Sequence, residues 1–487
     1  VSGEDHGLAE LLAARRAKLE RLRSEGVEPY PHAFPGVEPL VAVSSAHAGL
    51  APGEETETVH RVAGRIAARR EAGRAAFIDL VDRSGRLQLH ARVDELGDDG
   101  FARLVSLDLG DLIGVDGVAI RTRRGELSLR VRAFTLLAKS LRPPPDKHHG
   151  LADLETRFRQ RELDLVANEA TRELFIARTR IVSAIRRVLD DAGFIEVETP
   201  ILQPIYGGAL ARPFRTHHNA LDRTLYLRIA TELYLKRAIV GGLERVYELG
   251  KDFRNEGLSP KHNPEFTMVE WYEAYADYED GARRLEQVVA AAAAAVTATA
   301  IDFSAPWRRV KLRDAILQYA AIDIGELRDR EALAAAVQAK DLPIETAKAT
   351  WAKLVDALLS TTVEPALEQP TFVFDYPLEL SPFAKAHRSQ PGYVERWEAF
   401  AGGVEIANAF TELNDPDEQR ARFLAQREQA AAGDEEAQPF DEAFLEALEL
   451  GMPPTAGVGL GIDRLVMLLL GVSPIREVIL FPAMRDR

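Results

Sequence analysis

The stretch from residue 58 to residue 138 is cut into five short strand-like segments, and no other feature constrains the fold as tightly. They read HRVAGRIAARR, AAFIDLVD, RLQLHARVD, DLIGVDGVAIRT and ELSLRVRAFTLLA, with turn signals such as DRSGR and TRRGE between them. Five short runs with glycine punctuation suit a small β-barrel of the OB type. Alternation along its strands puts Ile78, Leu87 and Leu89 inside and Phe77 and Gln88 outside. An exposed aromatic with amide and guanidinium neighbours is what stacking and edge reading of unpaired bases require. Ahead of the barrel, residues 7–24 have a helical pattern that EPYPHAFPG (28–36) breaks. Behind it, LRPPPDKHHG (141–150) can continue neither strand nor helix and reads as a linker.

Beyond the linker, long helical patterns mix with antiparallel-looking strands, which predicts an α+β domain. In LFIARTRIVSAIRRVLDDAGF, Phe175, Ile181, Val182, Ile185, Val188 and Leu189 recur at three- and four-residue spacing, with Gly193 as the stop. IEVETPIL then reads as a strand closed by Pro200, residues 281–300 as an alanine-rich helix, and residues 311–366 as an inserted helical bundle. The expected organisation is a helical extension (1–57), the barrel (58–143) and the α+β domain (144–487).

With 46% hydrophobic and 28% charged residues in 487, the composition is that of a soluble globular chain of two or three domains. No apolar run approaches the roughly 20 residues that cross a bilayer. The segment VSGEDHGLAELLAARRAKLERL is charged and does not read as a signal peptide. The absence of cysteine excludes disulfides and Cys-ligated zinc or iron–sulfur sites, and cytoplasm is the default location. The net charge of −15 is unevenly spread. Residues 1–143 carry 21 basic and 21 acidic side chains, so the whole acidic excess lies behind them. A neutral, arginine-bearing front end can still bind RNA, because phosphate contacts need a patch and not a net charge.

Within the larger domain, FRNEGLSPKHNPEF (253–266) joins two strand-like runs, RVYELGKD and TMVEWYEAY. Glu248, Arg254 and Glu256 share parity on the outgoing side, and Phe266, Met268, Glu270 and Tyr272 on the return. A sheet face bearing that mixture is a poor core, since buried charges must be paired. Interleaved aromatics favour a polar pocket over an open surface.

These residues resemble a known family. FRNEG followed by HNPEFTMVEWY is similar to motif 2 of the class II aminoacyl-tRNA synthetases, and GVGLGIDRLVMLLLG (457–471) to motif 3. The helix and strand at 174–200, ending EVETP, resemble motif 1. An OB-like domain in front resembles subclass IIb, which charges Lys, Asp or Asn. GGALARPFRTHHNALD (207–222), TELYLKRAIVGGLERVYELG (231–250) and EIANAFTELND (405–415) resemble the lysyl members in particular.

The resemblance implies a lysine-, ATP- and tRNA(Lys)-binding homodimer. It implies Glu232 and Glu412 at the ε-ammonium with Tyr272 beside them, Phe410 along the aliphatic stem, and Asn408 with Arg254 at the α-carboxylate. Glu270 and the backbone of Gly208 would receive the α-amino group. Two glutamates at the side-chain end argue against an aspartate-charging relative, which needs a cation there. For ATP it implies Arg254 on the α-phosphate, Glu256 at the adenine edge, Phe266 and Arg464 sandwiching adenine, and His262 with Lys261 near the terminal phosphates. Many members have Arg where Lys261 stands. Glu398 and Glu405 would hold Mg²⁺. Arg70, Phe77, Gln88 and Glu126 would read the anticodon. Ala409 stands where a glycine is usual, and its methyl is expected to tighten the lysine pocket.

Two other functions fit parts of this pattern. Relatives that lysylate proteins lack the OB domain, and lipid-lysylating fusions carry membrane spans; this chain has the first and lacks the second. A catalytically dead RNA-binding protein would have lost Arg254, Glu256, Arg464 or the Glu398/Glu405 pair, and all are present. The paired histidines of THHN (216–219) and KHH (147–149) have no partner cluster at metal-ligand spacing, and residues 425–433 read as a solvated helix end.

Overall fold

The computed structural model describes residues 3–144, 151–209, 211–297, 300–347, 349–431 and 438–486, so most of the 141–150 linker lies outside it. The chain divides into two compact units, Val1–Arg172 and Glu173–Arg487.

The first unit is built on a closed barrel in the order β1-β2-β3-β5-β4. The helices α1 (Gly3–Ser24) and α2 (Leu40–Ala46) precede β1 (Glu55–Ala72), β2 (Ala75–Val81) and β3 (Arg86–Arg92). Helix α3 (Val93–Ser106) intervenes before β4 (Leu112–Arg121) and β5 (Leu127–Ala138). Ile78, Leu80, Leu87 and Leu89 face the barrel interior, as alternation predicts. Helix α3 was not foreseen: Gly97, with φ 71, kinks it and breaks the periodicity that would have announced it. α4 (Leu154–Arg159) and α5 (Arg161–Ala167) complete the unit.

The second unit is a mixed, predominantly antiparallel eight-stranded sheet in the order β12-β13-β14-β15-β16-β11-β10-β6. Helix α6 (Glu169–Asp191) leads into β6 (Ile195–Glu196). Beyond these lie a small sheet of β7 (Leu202–Gln203), β8 (Arg215–His218) and β9 (Arg223–Leu227), and α7 (Glu232–Val240). The hairpin is β10 (Arg245–Phe253) and β11 (Glu265–Ala274), and α8 (Tyr278–Ala294), β12 (Arg308–Lys311), α9 (Leu312–Ala320), α10 (Arg330–Ala339) and α11 (Trp351–Leu358) follow. Then come β13 (Thr371–Pro377), β14 (Tyr393–Ala401), β15 (Val404–Thr411), α12 (Pro416–Ala431), α13 (Glu442–Glu449), β16 (Thr455–Gly461) and α14 (Ile462–Leu470).

Helices α6, α8 and α14 cover one face of the sheet. Ile181, Ile185, Leu189, Leu285, Val289, Leu465 and Val466 pack there on Tyr247, Val269, Trp271, Trp397, Val458 and Leu460. Gly193, at φ 80, closes α6 as expected, and the amide of Phe194 donates back to the carbonyl of Leu189 at 3.0 Å.

Two expectations change. IEVETPIL is not one strand: Ile195 and Glu196 form β6, paired with Val246 and Tyr247 of β10, Leu202 begins β7, and Pro200 lies outside any strand. The alanine-rich helix begins at Tyr278 and ends at Ala294. Helices α9, α10 and α11 lie between β12 and β13, and Leu312, Ile316, Leu333 and Leu354 share one core with Val373, Tyr376 and Phe400 of the sheet.

Candidate active site

Alternation gives the sheet's second face. Opposite the buried Val269 and Trp271, Met268, Glu270 and Tyr272 line a cleft of about 350 Å³; opposite Val458 and Leu460 come Gly457, Gly459 and Gly461. Asn408 and Phe410 enter it from β15, and Glu232 from the start of α7. A Cβ on Gly457 would overlap the Glu412 carboxylate and fall 2.5 Å from the Tyr272 ring. The glycine floor is therefore what gives the acidic end its room.

Glu232 and Glu412 converge at that end, and between them lies Lys236, which the sequence reading did not single out. Its Nζ is 2.6 Å from Glu232 Oε1 and 2.5 Å from Glu412 Oε2, and the Lys236 and Glu412 side chains are 0% exposed. Glu412 Oε1 has no hydrogen-bond partner. Burial pushes Glu412 up to about 8, with Lys236 opposing and Glu232 adding. Burial also raises Glu232, with Lys236 pulling the other way. Burial and then Glu232, Glu270 and Glu412 hold the Tyr272 phenol well above its ordinary range, so it stays a donor.

Glu270 accepts from the amide of Thr231 at 3.4 Å through Oε1, while its Oε2 has no hydrogen-bond partner. Burial, and behind it Asp252 and Glu232, push this carboxyl up to about 8. Gly208, at φ 89, sits where a Cβ would press on Glu232 Cβ at 2.9 Å. The amide of Gly208 donates to Gln438 Oε1 at 3.2 Å, and Gln438 also donates to the carbonyl of Ala209. Gln438 thus straps the 207–209 segment into the pocket wall, a role with no signal in the sequence.

Arg396 is the second residue the sequence reading missed. Its Nε donates to Asn408 Oδ1 at 3.1 Å, its Nη2 to Glu398 Oε1 at 2.5 Å and its Nη1 to the carbonyl of Leu380 at 2.8 Å. Because a guanidinium only donates, Asn408 must present its amide nitrogen elsewhere, and the pocket is beside it. The Arg396 guanidinium also stands 5.5 Å from the Phe410 ring centroid.

Glu398 and Glu405 lie on the neighbouring strands β14 and β15. Tyr376 donates to Glu398 at 2.9 Å, and Arg464 Nη1 to Glu405 Oε2 at the same distance. Burial, then Glu405 and Asp356 against the pull of Arg396, push Glu398 up to about 7. A carboxyl raised in this way beside a second carboxylate fits a divalent cation. Mg²⁺ is commonly held by one or two carboxylates, with waters and substrate phosphates completing the shell. Among the described residues no larger cluster of metal-ligating side chains occurs.

At the other end, the loop 254–264 carries Arg254 and Glu256 past the end of β10 to the cleft wall. The Arg254 guanidinium stands 5.1 Å from the Phe266 ring centroid. Arg464 Nη2 donates to His262 Nε2 at 3.0 Å, and His262 Nδ1 lies 2.8 Å from Ser259 Oγ. Burial and Arg464 lower the His262 pKa, so its Nδ1–H tautomer is the one that satisfies both contacts. Arg464 is anchored from behind: Asp463 accepts from the amide of Thr267 at 2.7 Å and pairs with Arg178 of α6 at 2.7 Å. Lys261 reaches Glu364 at 2.7 Å and the carbonyl of Gly403 at 3.1 Å, so its ammonium is engaged at the rim.

Ala409 corrects the sequence reading. It is 1% exposed and packs into the core under the sheet, so its methyl points away from the cleft. The histidines of THHN are engaged locally: His217 faces Asp222 at 3.4 Å, and His218 Nδ1 accepts from the amide of Leu221. The KHH pair lies outside the described residues.

On the barrel, Arg70 pairs with Phe77 across β1 and β2, its guanidinium 5.2 Å from the ring centroid. His90, which was not anticipated, is the partner of Phe77 on β3 and stacks on its ring, with centroids 4.9 Å apart and planes 2° from parallel. Gln88 sits on the same outer surface and accepts from Ser128 at 3.0 Å. Glu126 lies at the β4–β5 turn, where its carbonyl accepts from the amide of Thr122.

Residues 153–485 match the family model described as tRNA synthetases class II (D, K and N), and residues 60–137 the model of the OB-fold nucleic acid binding domain. The chain is similar to the lysine--tRNA ligase of Dehalococcoides mccartyi, at 50% identity over 98% of each chain. It is similar at 50% identity to that of Moorella thermoacetica over 98% of each chain, and to that of Chloroflexus aurantiacus over 99% of each.

Proposed function

The chain belongs to the class II tRNA synthetases (D, K and N), and from that premise we propose a lysine--tRNA ligase whose amino-acid and ATP sites are the two ends of this cleft. Its reaction is ATP-dependent. One observation carries the reading of the pocket. Two buried carboxylates, Glu412 and Glu270, hold oxygens without a hydrogen-bond partner in the same cleft. Lysine has an ammonium at each end of its length, and each ammonium brings the donors these oxygens lack.

In this reading Glu412 and Glu232 receive the ε-ammonium beside Tyr272, and Phe410 lies along the methylenes. Glu270 and the carbonyl of Gly208 receive the α-amino group, and Asn408 with Arg254 holds the α-carboxylate. The adenine lies between Phe266 and Arg464 with its edge toward Glu256, and His262 and Lys261 face the terminal phosphates. Glu398 and Glu405 would hold Mg²⁺, which would offset the negative charge of the phosphates.

A carboxylate oxygen of lysine attacks the α-phosphorus of ATP, and the bond to the bridging oxygen breaks to release pyrophosphate. Arg254 donates to the α-phosphate as its charge rises, which lowers the barrier without any enzyme nucleophile. A hydroxyl at the 3′ end of tRNA(Lys) then attacks the carbonyl carbon of the adenylate, and AMP departs. The chain's contribution is orientation and charge stabilisation.

The barrel binds the anticodon, with an unpaired base stacked at Phe77 and Arg70 and read by Gln88 and Glu126. Among the described residues no helix is long and apolar enough to cross a membrane, and the cytoplasm is where this reaction would run. A second copy is proposed to cover the segment after α6, where Ile195, Ile201 and Leu202 are exposed. Sedimentation should therefore give a dimer, and a monomer would contradict this. Charging of purified tRNA(Lys) with labelled lysine tests the function. Ester formation that needs ATP, lysine and tRNA together is the expected result, and lysyl transfer to another acceptor alone would overturn it.

A further inference from the structure

We propose that Lys236 is a positioning residue that sets the residual charge of the acidic, side-chain end of the amino-acid pocket at minus one once its carboxylates are ionised, so that a single ammonium completes it. This rests on the reading of the cleft as a lysine site.

Lys236 follows Glu232 by one turn of α7, so the two side chains leave the helix on the same side. Glu412 comes from the far end of β15, and the three charged groups meet where Lys236 and Glu412 are fully buried. The Phe383 ring closes over the ammonium, with Nζ 5.1 Å from its centroid. The other charged or titratable groups facing the cluster are Tyr272 and Glu270 of β11 and Arg396 of β14.

When both carboxylates are ionised to receive a ligand, two of them against one ammonium leave one negative charge, and Glu412 Oε1 is the oxygen with neither a hydrogen bond nor the Lys236 ammonium against it. Without Lys236, two carboxylates this close in a dry site could not both ionise, and one would keep a proton. A protonated carboxyl is a poor partner for an ammonium. A second cation in the pocket would err the other way and admit a neutral or acidic side chain. Burial pulls the Lys236 pKa down, but Glu232 and Glu412 outweigh it, and the ammonium remains charged at neutral pH. A purely structural account is weak here. A buried ion triad is often no more stabilising than apolar side chains of the same volume, so packing alone gives no reason to keep it.

The experiment measures KM for lysine and for ATP by ATP–pyrophosphate exchange between about pH 6 and 9. It compares the wild-type enzyme with Lys236→Met, Lys236→Arg and the double variant Glu232→Gln/Lys236→Met. Removing the ammonium should raise lysine KM by ~10-fold or more while ATP KM stays within ~2-fold. It should also move the acid-side rise of lysine KM upward by about one pH unit, because a lost cation raises both carboxylates. Lys236→Arg keeps the charge and should keep the wild-type midpoint. The double variant has one carboxylate and no ammonium, again minus one, and its midpoint should return toward wild type. An unchanged midpoint in Lys236→Met, or equal displacement in Lys236→Met and Lys236→Arg, overturns the proposal. If Lys236→Met does not fold, the double variant decides: a midpoint displaced upward contradicts the charge count. A wild-type enzyme that never exchanges with lysine would overturn the pocket reading instead.

Discussion

Arg396 Nε donates to Asn408 Oδ1 at 3.1 Å, and this one hydrogen bond decides which end of the Asn408 amide can serve a ligand. The nitrogen is left to donate, as a carboxylate requires. Replacing Arg396 by Gln should therefore raise lysine KM through Asn408 as well as disturb Glu398, which shares the same guanidinium. Hydrogen bonds to charged groups contribute about 1.5–3 kcal/mol, so Asn408→Ala should raise lysine KM roughly 10- to 100-fold. Exchange kinetics check both, and an unchanged lysine KM in Asn408→Ala would contradict the assignment.

Gly457 faces Glu412 and Tyr272 too closely for any side chain. Gly457→Ala should cost about 1–3 kcal/mol of stability through overpacking and should cripple lysine binding more than ATP binding. Urea unfolding and separate KM measurements check the two effects. Equal losses for both substrates would mean that the clash spreads beyond the acidic end.

Glu270 and Glu412, both pushed up to about 8 by burial, give the pocket a proton balance. Their ordinary value is 4.5, so between about pH 4.5 and 8 the folded protein holds protons that the unfolded chain has released. That contribution to stability is full below the window and is lost as pH rises through it. Lysine, by pairing with the ionised forms, should offset the loss. Melting temperature of the ligand-free protein should fall from about pH 5 to 8.5, less steeply with lysine present, and apparent lysine affinity should rise with pH. Lysine affinity that is flat across that range would contradict the buried-carboxylate site.

Phe77 forms a stacked pair with His90 under the Arg70 guanidinium on the barrel. Phe77→Ala should lower tRNA charging efficiency by roughly 10- to 100-fold, since stacking a base contributes about 1–3 kcal/mol. ATP–pyrophosphate exchange without tRNA should not change. A parallel loss of exchange would place the defect in folding and not in anticodon binding.

Much of this arrangement is legible in alternation. The parity of Phe266, Met268, Glu270 and Tyr272 on β11, and of Ile78 and Phe77 on the barrel, is enough to divide pocket from core and inside from outside. Alternation also accounts for Ala409, which shares parity with the buried Ala407 and points to the core. What stayed hidden depends on tertiary meeting. Lys236 at one turn from Glu232 looks like an ordinary surface helix pair until Glu412 arrives from β15 and buries both. Arg396 and Gln438 likewise gain their meaning from partners far along the chain. Helix α3 escaped notice because Gly97 interrupts its pattern, and IEVETPIL misled because its β-branched Val197, Thr199 and Ile201 fall between the short strands β6 and β7.

The most direct test of the central claim is ATP–pyrophosphate exchange by the purified full-length enzyme, measured with each amino acid in turn. The account predicts exchange with lysine, with Glu412→Gln weakening lysine far more than ATP. Exchange driven by aspartate or asparagine in place of lysine, or none with any amino acid, would contradict it.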